Sequence, residues 1–119
     1  MALIRLQFVT NLENQKYGIV EFHGELDKSN LAQTEKDMSS MLETFSRQAL
    51  IFDLSDLHYV NSEGIGFIVS IHVKLSKLGK QLALCGLRDN VSDVLEAVGM
   101  DRLIPTYRTV DEAVAALGQ

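Results

Sequence analysis

Apolar and polar residues alternate from the start of the chain. Ile4, Leu6 and Phe8 are interleaved with Arg5, Gln7 and Val9, a period of two that predicts a strand with one buried face. Asn11 to Gln15 supply polar turn residues, and Tyr17-Gly18-Ile19-Val20-Glu21-Phe22 reads as a second strand, so an opening hairpin is expected. After Gly24-Glu25-Leu26-Asp27 the period changes. Leu31, Thr34, Met38, Met41, Leu42 and Phe45 fall along one helical face, with Asp27, Ser29 and Asn30 as available N-caps and an end near Phe45. That face is read as core.

Ala49-Leu50-Ile51-Phe52-Asp53-Leu54 is too short for an ordinary helix and too continuously apolar for an exposed strand, which predicts a central, parallel strand. Ser55 to Val60 carry the chain to Asn61-Ser62-Glu63-Gly64-Ile65-Gly66. From Glu63 the spacing of Gly64, Ile68, Ile71, Leu75 and Leu78 predicts a long helix closing at Lys77-Leu78-Gly79-Lys80. Ile65, Val69 and Val73 form a second stripe beside the first, so this helix is either well covered or partly open to a partner. Gln81 to Cys85 is the next strand, and Asp89 is available to cap a short helix bearing Val91, Val94, Leu95 and Val98 that ends at Gly99. Leu103 to Tyr107 reads as an edge strand, because Pro105 has no N–H for a ladder. Thr109 and Glu112 have capping-box spacing, and Ala113, Val114 and Leu117 complete a terminal helix. The expected fold is α/β: a single domain over residues 1–119, with a mixed sheet of about five strands (a hairpin, then alternating helices and strands) packed with about four helices.

Composition narrows the function classes. A formal charge of −5 leaves no basic patch to displace counterions from phosphates, so nucleic acid is not an expected partner. The first residues lack the basic and continuously apolar regions of a secretory signal, and no run is long enough to span a bilayer; a cytoplasmic protein without membrane insertion is expected. Cys85 is the only cysteine and follows Leu82, Ala83 and Leu84, which reads as an inert, buried strand thiol.

The common catalytic signatures are missing. There is no phosphate-binding lysine loop, paired-cysteine zinc pattern, histidine pair at helical spacing or nucleophile elbow. His23, His58 and His72 lie far apart in sequence, and each is read as a surface or half-buried side chain. Asp53 stands where a phospho-accepting receiver would carry its aspartate, but Val9-Thr10-Asn11 lacks the acidic residues that would hold magnesium, so a structural hydrogen-bonding role is expected. The chain is read as a non-enzyme without cofactor or metal. A serine at the first turn of a helix is the remaining chemical feature. Unpaired backbone N–H groups and the positive end of the helix dipole suit such a residue to capping or to carrying a phosphate.

Four segments occur in register: Gly24-Glu25-Leu26-Asp27, Leu54-Ser55-Asp56-Leu57, Val60-Asn61-Ser62-Glu63-Gly64-Ile65-Gly66 and Leu84-Cys85-Gly86-Leu87. In these the sequence resembles the STAS domain family, particularly bacterial anti-sigma factor antagonists, over nearly its whole length. The resemblance implies a small mixed sheet packed with helices, and a serine at the start of the second helix that a partner anti-sigma factor/serine kinase phosphorylates and a phosphoserine phosphatase restores. By position Ser62 is that serine, and Asn61, Glu63, Gly64, Ile65, Gly66, Phe67, Glu25 and Asp27 are the expected partner-binding residues. Where the commonest family pattern reads Asp-Ser-Ser-Gly, this chain has Asn61-Ser62-Glu63-Gly64. STAS-like domains also resemble small accessory components of ABC-type membrane transport complexes, which leaves a non-switching subunit as the alternative.

Overall fold

The computed structural model describes residues 4–9, 17–43 and 45–117. The elements run β1 (Ile4–Val9), β2 (Tyr17–Leu26), α1 (Leu31–Glu43), β3 (Ala49–Val60), α2 (Ser62–Lys77), β4 (Gln81–Cys85), α3 (Asp89–Ala97), a 3-10 turn (Met100–Arg102), β5 (Thr106–Tyr107) and α4 (Val110–Leu117). The five strands form one sheet in chain order, with β1 antiparallel to β2 and the other neighbours parallel. The expected α/β architecture and central β3 are therefore present. The expected turn from Asn11 to Gln15 and the buried face of β1 lie outside what is described.

The strand order explains where the helices go. Each parallel connection adds its strand on the same side of the last, and such crossovers are right-handed, so α1, α2 and α3 must lie on one face of the sheet. Their apolar stripes meet alternate residues of β2, β3 and β4 there. Phe22, Phe52, Leu54, Met38, Ile68 and Leu95 are buried in this core, and the Phe22 and Phe52 rings sit 4.7 Å apart. Among the described residues the opposite face receives only α4, which covers Tyr17, Ala49, Ile51 and Cys85 with Ala113. Burial pushes the Cys85 thiol up to about 12, with the nearby Asp53 charge adding to the effect, so the thiol is inert as expected.

Several boundaries differ from the sequence reading, each for a local reason. β2 and β3 continue through their polar halves to Leu26 and Val60, because two irregularities let β3 stay paired while it carries extra residues. α1 covers Leu31–Glu43, close to the expected end near Phe45, whose N–H donates to the Leu42 carbonyl while its ring packs against the core. Asp89 is not the cap of α3; Arg88 occupies that position and makes no side-chain capping bond, leaving Asp89 as an acidic residue in the first turn. The run from Leu103 shortens to the edge strand Thr106–Tyr107, because the chain first makes the 3-10 turn from Gly99, whose φ of 76° suits a residue without a Cβ. At α4 the Glu112 N–H donates to Thr109 Oγ1 at 3.1 Å, while the Glu112 carboxylate accepts from Arg108 N–H.

Candidate functional site at the start of α2

The ends of β2 and β3 bring two distant segments together. Leu26 pairs with Val60 and Glu25 with Tyr59, and the Asn61 N–H donates to the Leu26 carbonyl at 3.3 Å. The turn into α2 thus lies directly beside the loop that leads from β2 into α1. That loop is held by its own polar groups: the Asp27 carboxylate accepts from the Ser29 N–H at 2.8 Å and hydroxyl at 2.6 Å, and Asn30 donates to the Glu25 carbonyl. The Ser29 hydroxyl, followed by its N–H, holds the Asp27 carboxyl below its ordinary value.

Asn61 is the N-cap of α2. Its backbone is extended, with φ −101° and ψ −178°, its Oδ1 accepts from Gly64 N–H at 2.9 Å, and its carbonyl accepts from Ile65 N–H at 3.0 Å. Ser62 is the first helical residue, exposed together with Glu63. The sequence leaves the capping role open between Asn61 and Ser62. The structure gives it to Asn61, and the Ser62 hydroxyl takes no part in it.

The following residues divide by burial. Gly64, Ile65 and Phe67 are buried, at 5% exposure for Ile65 and 2% for Phe67, so they pack inward and do not present a contact surface. A Cβ on Gly64 would lie 2.6 Å from Val60 Cγ2, 3.1 Å from Leu26 Cγ and 3.2 Å from the Leu26 carbonyl. Its missing side chain is what allows α2 to start so close to both strand ends. Gly66 is exposed, and a Cβ there would meet no atom within 4 Å. Phe67 reaches only the floor of a shallow groove of about 370 Å³ between α1 and α2, which Glu35, Lys36, Ser70 and Lys74 also line.

Tyr59, at 46% exposure, stands in β3 opposite Glu25, and the sequence reading does not assign it to the site. An aromatic residue near the end of a strand gives no sign of facing solvent until the pairing is known. The second stripe of α2 is graded: Ile65 is buried, Val69 half-buried, and Val73 exposed at 41%. Asp53 has the expected structural role, its Oδ1 accepting from the Ser55 hydroxyl at 2.7 Å and N–H at 3.1 Å.

His23 and His72 are half-buried and His58 is exposed, as the sequence reading has them, but two of them share a partner that it does not show. Parallel pairing of β2 with β3 places His23 beside Asp56, with Nδ1 2.7 Å from Asp56 Oδ2, and His58 Nε2 lies 2.9 Å from the other oxygen of the same carboxylate. Residues far apart in sequence thus share one partner. No spacing rule could show this, because it depends on the register between strands.

The fold has counterparts among known proteins. The STAS domain profile matches residues 9–113. The anti-sigma F factor antagonist of Paenibacillus polymyxa is 25% identical over 99 residues, covering 83% of this chain and 82% of that protein. Among solved structures, an anti-sigma factor antagonist from Mycobacterium paratuberculosis superposes with a TM-score of 0.86 at 21% identity, covering 98% of this chain and 96% of that one. The Bacillus cell fate determinant SpoIIAA in its phosphorylated form superposes with a TM-score of 0.68 at 18% identity, covering 96% and 98%. The chain belongs to the STAS domain family, and anti-sigma factor antagonists are among its relatives.

Proposed function

We propose that this protein is a phosphorylation-regulated binding module that engages an anti-sigma factor in its unmodified form, with that partner acting as the serine kinase for Ser62 and a phosphoserine phosphatase reversing the modification. Its place of action is the cytoplasm, where sigma-dependent transcription is controlled. The observation that carries this reading is the division of labour at the turn: Asn61 caps α2, which leaves the Ser62 hydroxyl exposed and unused by the helix. The relatives named as anti-sigma factor antagonists supply the class of partner.

The contact surface in this reading consists of the exposed and half-buried members of the set, namely Glu25, Asp27, Asn61, Ser62, Glu63 and Gly66, with Tyr59 added. Gly64, Ile65 and Phe67 act beneath it by fixing the start of α2.

Magnitudes indicate how such a switch works. A phosphate on Ser62 adds roughly −1.5 to −2 charges. The helix N-terminus favours that anion by about 0.3–1 kcal/mol, and a carboxylate such as Glu63 opposes it by about 1 kcal/mol per unit charge at 4 Å in water. The two oppose each other and leave a net cost of about 1 kcal/mol, small beside the roughly 5–15 kcal/mol that holds a domain folded, so the free domain keeps its fold. At an interface the phosphate must also lose water, at a cost of several kcal/mol, and each 1.4 kcal/mol is about tenfold in affinity.

Titration calorimetry with the anti-sigma factor tests the reading. Ser62→Ala is expected to bind as the parent does, and Ser62→Asp to keep its circular dichroism while losing tenfold or more in affinity. Equal affinities for the two variants would sink the switch.

A further inference from the structure

The open half of the sheet face that α4 leaves uncovered carries a charge cluster that the proposed phosphorylation does not use. His23 lies between two carboxylates: Nδ1 is 2.7 Å from Asp56 Oδ2, and Nε2 is 3.1 Å from Glu21 Oε1. A neutral imidazole has a single N–H, so one of these contacts would set a nitrogen lone pair against a carboxylate oxygen. Both contacts are satisfied only by the doubly protonated ring. His58 Nε2 lies 2.9 Å from Asp56 Oδ1, and Arg88 Nη2 approaches the same oxygen at 3.9 Å. Arg5 on the neighbouring strand β1, whose register partner is His23, is the opposing positive charge.

The cluster sits on the least regular part of the sheet. Between the Glu21–Asp53 and His23–Asp56 pairs β3 has one more residue than β2, and between the Gly24–Leu57 and Glu25–Tyr59 pairs His58 is an extra residue. Side chains from the start of α3 take the carbonyls of this bulged stretch: Arg88 Nε donates to the Ser55 carbonyl at 3.0 Å, and Asn90 Nδ2 donates to the His58 carbonyl at 2.7 Å. Immediately beyond lies Asn61, whose own N–H is bonded to β2 at Leu26.

We propose that His23 is a proton-operated latch, which while doubly protonated pins the bulged half of β3 to β2 and thereby fixes the turn that presents Ser62. Loss of the ring proton leaves a single N–H to share between Glu21 on the same strand and Asp56 across from it, and takes the charge out of the cross-strand contact, which loosens. Asp56 then rebalances between His23, His58 and Arg88, and the bulged backbone on which Asp56 sits moves with it. The hydrogen bond to Asp56, assisted by Glu21 and opposed by partial burial and by Arg5, raises the His23 pKa above its ordinary 6.5, which brings the latch toward neutral pH.

NMR titration of the intact chain, without any partner, tests this independently of the phosphorylation reading. The imidazole nitrogens of His23 are expected to show the doubly protonated form at pH 6.5 and a midpoint above it. The backbone amides of residues 55–64 are expected to shift with that same midpoint. Glu21→Gln, which keeps the size of the side chain and leaves Asp56 and His58 in place, is expected to lower the midpoint of both. A His23 midpoint at or below 6.5 would overturn the latch, and so would a normal His23 titration with the amides of residues 59–64 unmoved.

Discussion

The two faces of the sheet are built from the same strands by the same alternation, yet they serve different purposes. The face beneath α1, α2 and α3 is continuous apolar core from Val20 to Leu26 on β2 and from Leu50 to Val60 on β3. Among the described residues the opposite face is apolar where α4 crosses it, at Tyr17, Ile51 and Cys85, and farther along it turns to Glu21, His23 and Asp56. The right-handed crossovers cause the difference, since they commit three helices to one side and leave one helix for the other. A covered face holds the turn at Ser62 rigidly from below, and an open one lets a titrating group act on the strand that leads into it.

Gly64 gives the largest break of that contrast. Gly64→Ala drives a methyl group into the stiff Val60 side chain and the Leu26 backbone on the covered side, with an expected loss of about 1–3 kcal/mol in urea unfolding. Gly66→Ala, next but one along α2 with open space around it, is expected to gain roughly 0.5–1 kcal/mol from helix propensity. Losses of similar size at both positions would mean that α2 does not approach the strands as described.

The cap comes next. Asn61→Ala is expected to cost about 1 kcal/mol of stability, whereas Ser62→Ala should stay within about 0.5 kcal/mol of the parent. The reverse order in chemical denaturation would assign the capping role to Ser62 and leave its hydroxyl unavailable.

The smallest effect belongs to the open half and is seen through pH. The raised His23 pKa contributes stability that is complete below 6.5 and is lost as pH rises through its folded value, while the lowered Asp56 pKa contributes stability that is present above 3.8 and is lost as pH falls through its folded value. The stability difference between the parent and His23→Gln is therefore expected to be greatest between about pH 3.8 and 6.5 and to shrink on both sides. Denaturation midpoints across that range check it, and a difference independent of pH would remove the charge from the explanation.

What can be read from the sequence follows the same division. The apolar stripes of α1 and α2, the continuous run of β3 and the strand at Gln81–Cys85 carry their period in the chain, because each buries a face whose partner can be any apolar surface. The place of Ser62 is equally legible, since a helix start is a local event. The inward packing of Gly64, Ile65 and Phe67 is not, because it depends on how closely α2 approaches Val60 and Leu26. The sharing of Asp56 by His23 and His58 is hidden for a related reason: it requires the β2–β3 register together with two extra residues in β3, and periodicity does not report either.

Ser62 is the residue proposed to carry the regulatory phosphate. Intact mass and peptide mapping of the chain incubated with its anti-sigma factor partner and ATP test it most directly. A single phosphate on Ser62, absent from the Ser62→Ala variant, is the predicted result; an unmodified chain, or a phosphate that persists in that variant, would contradict it.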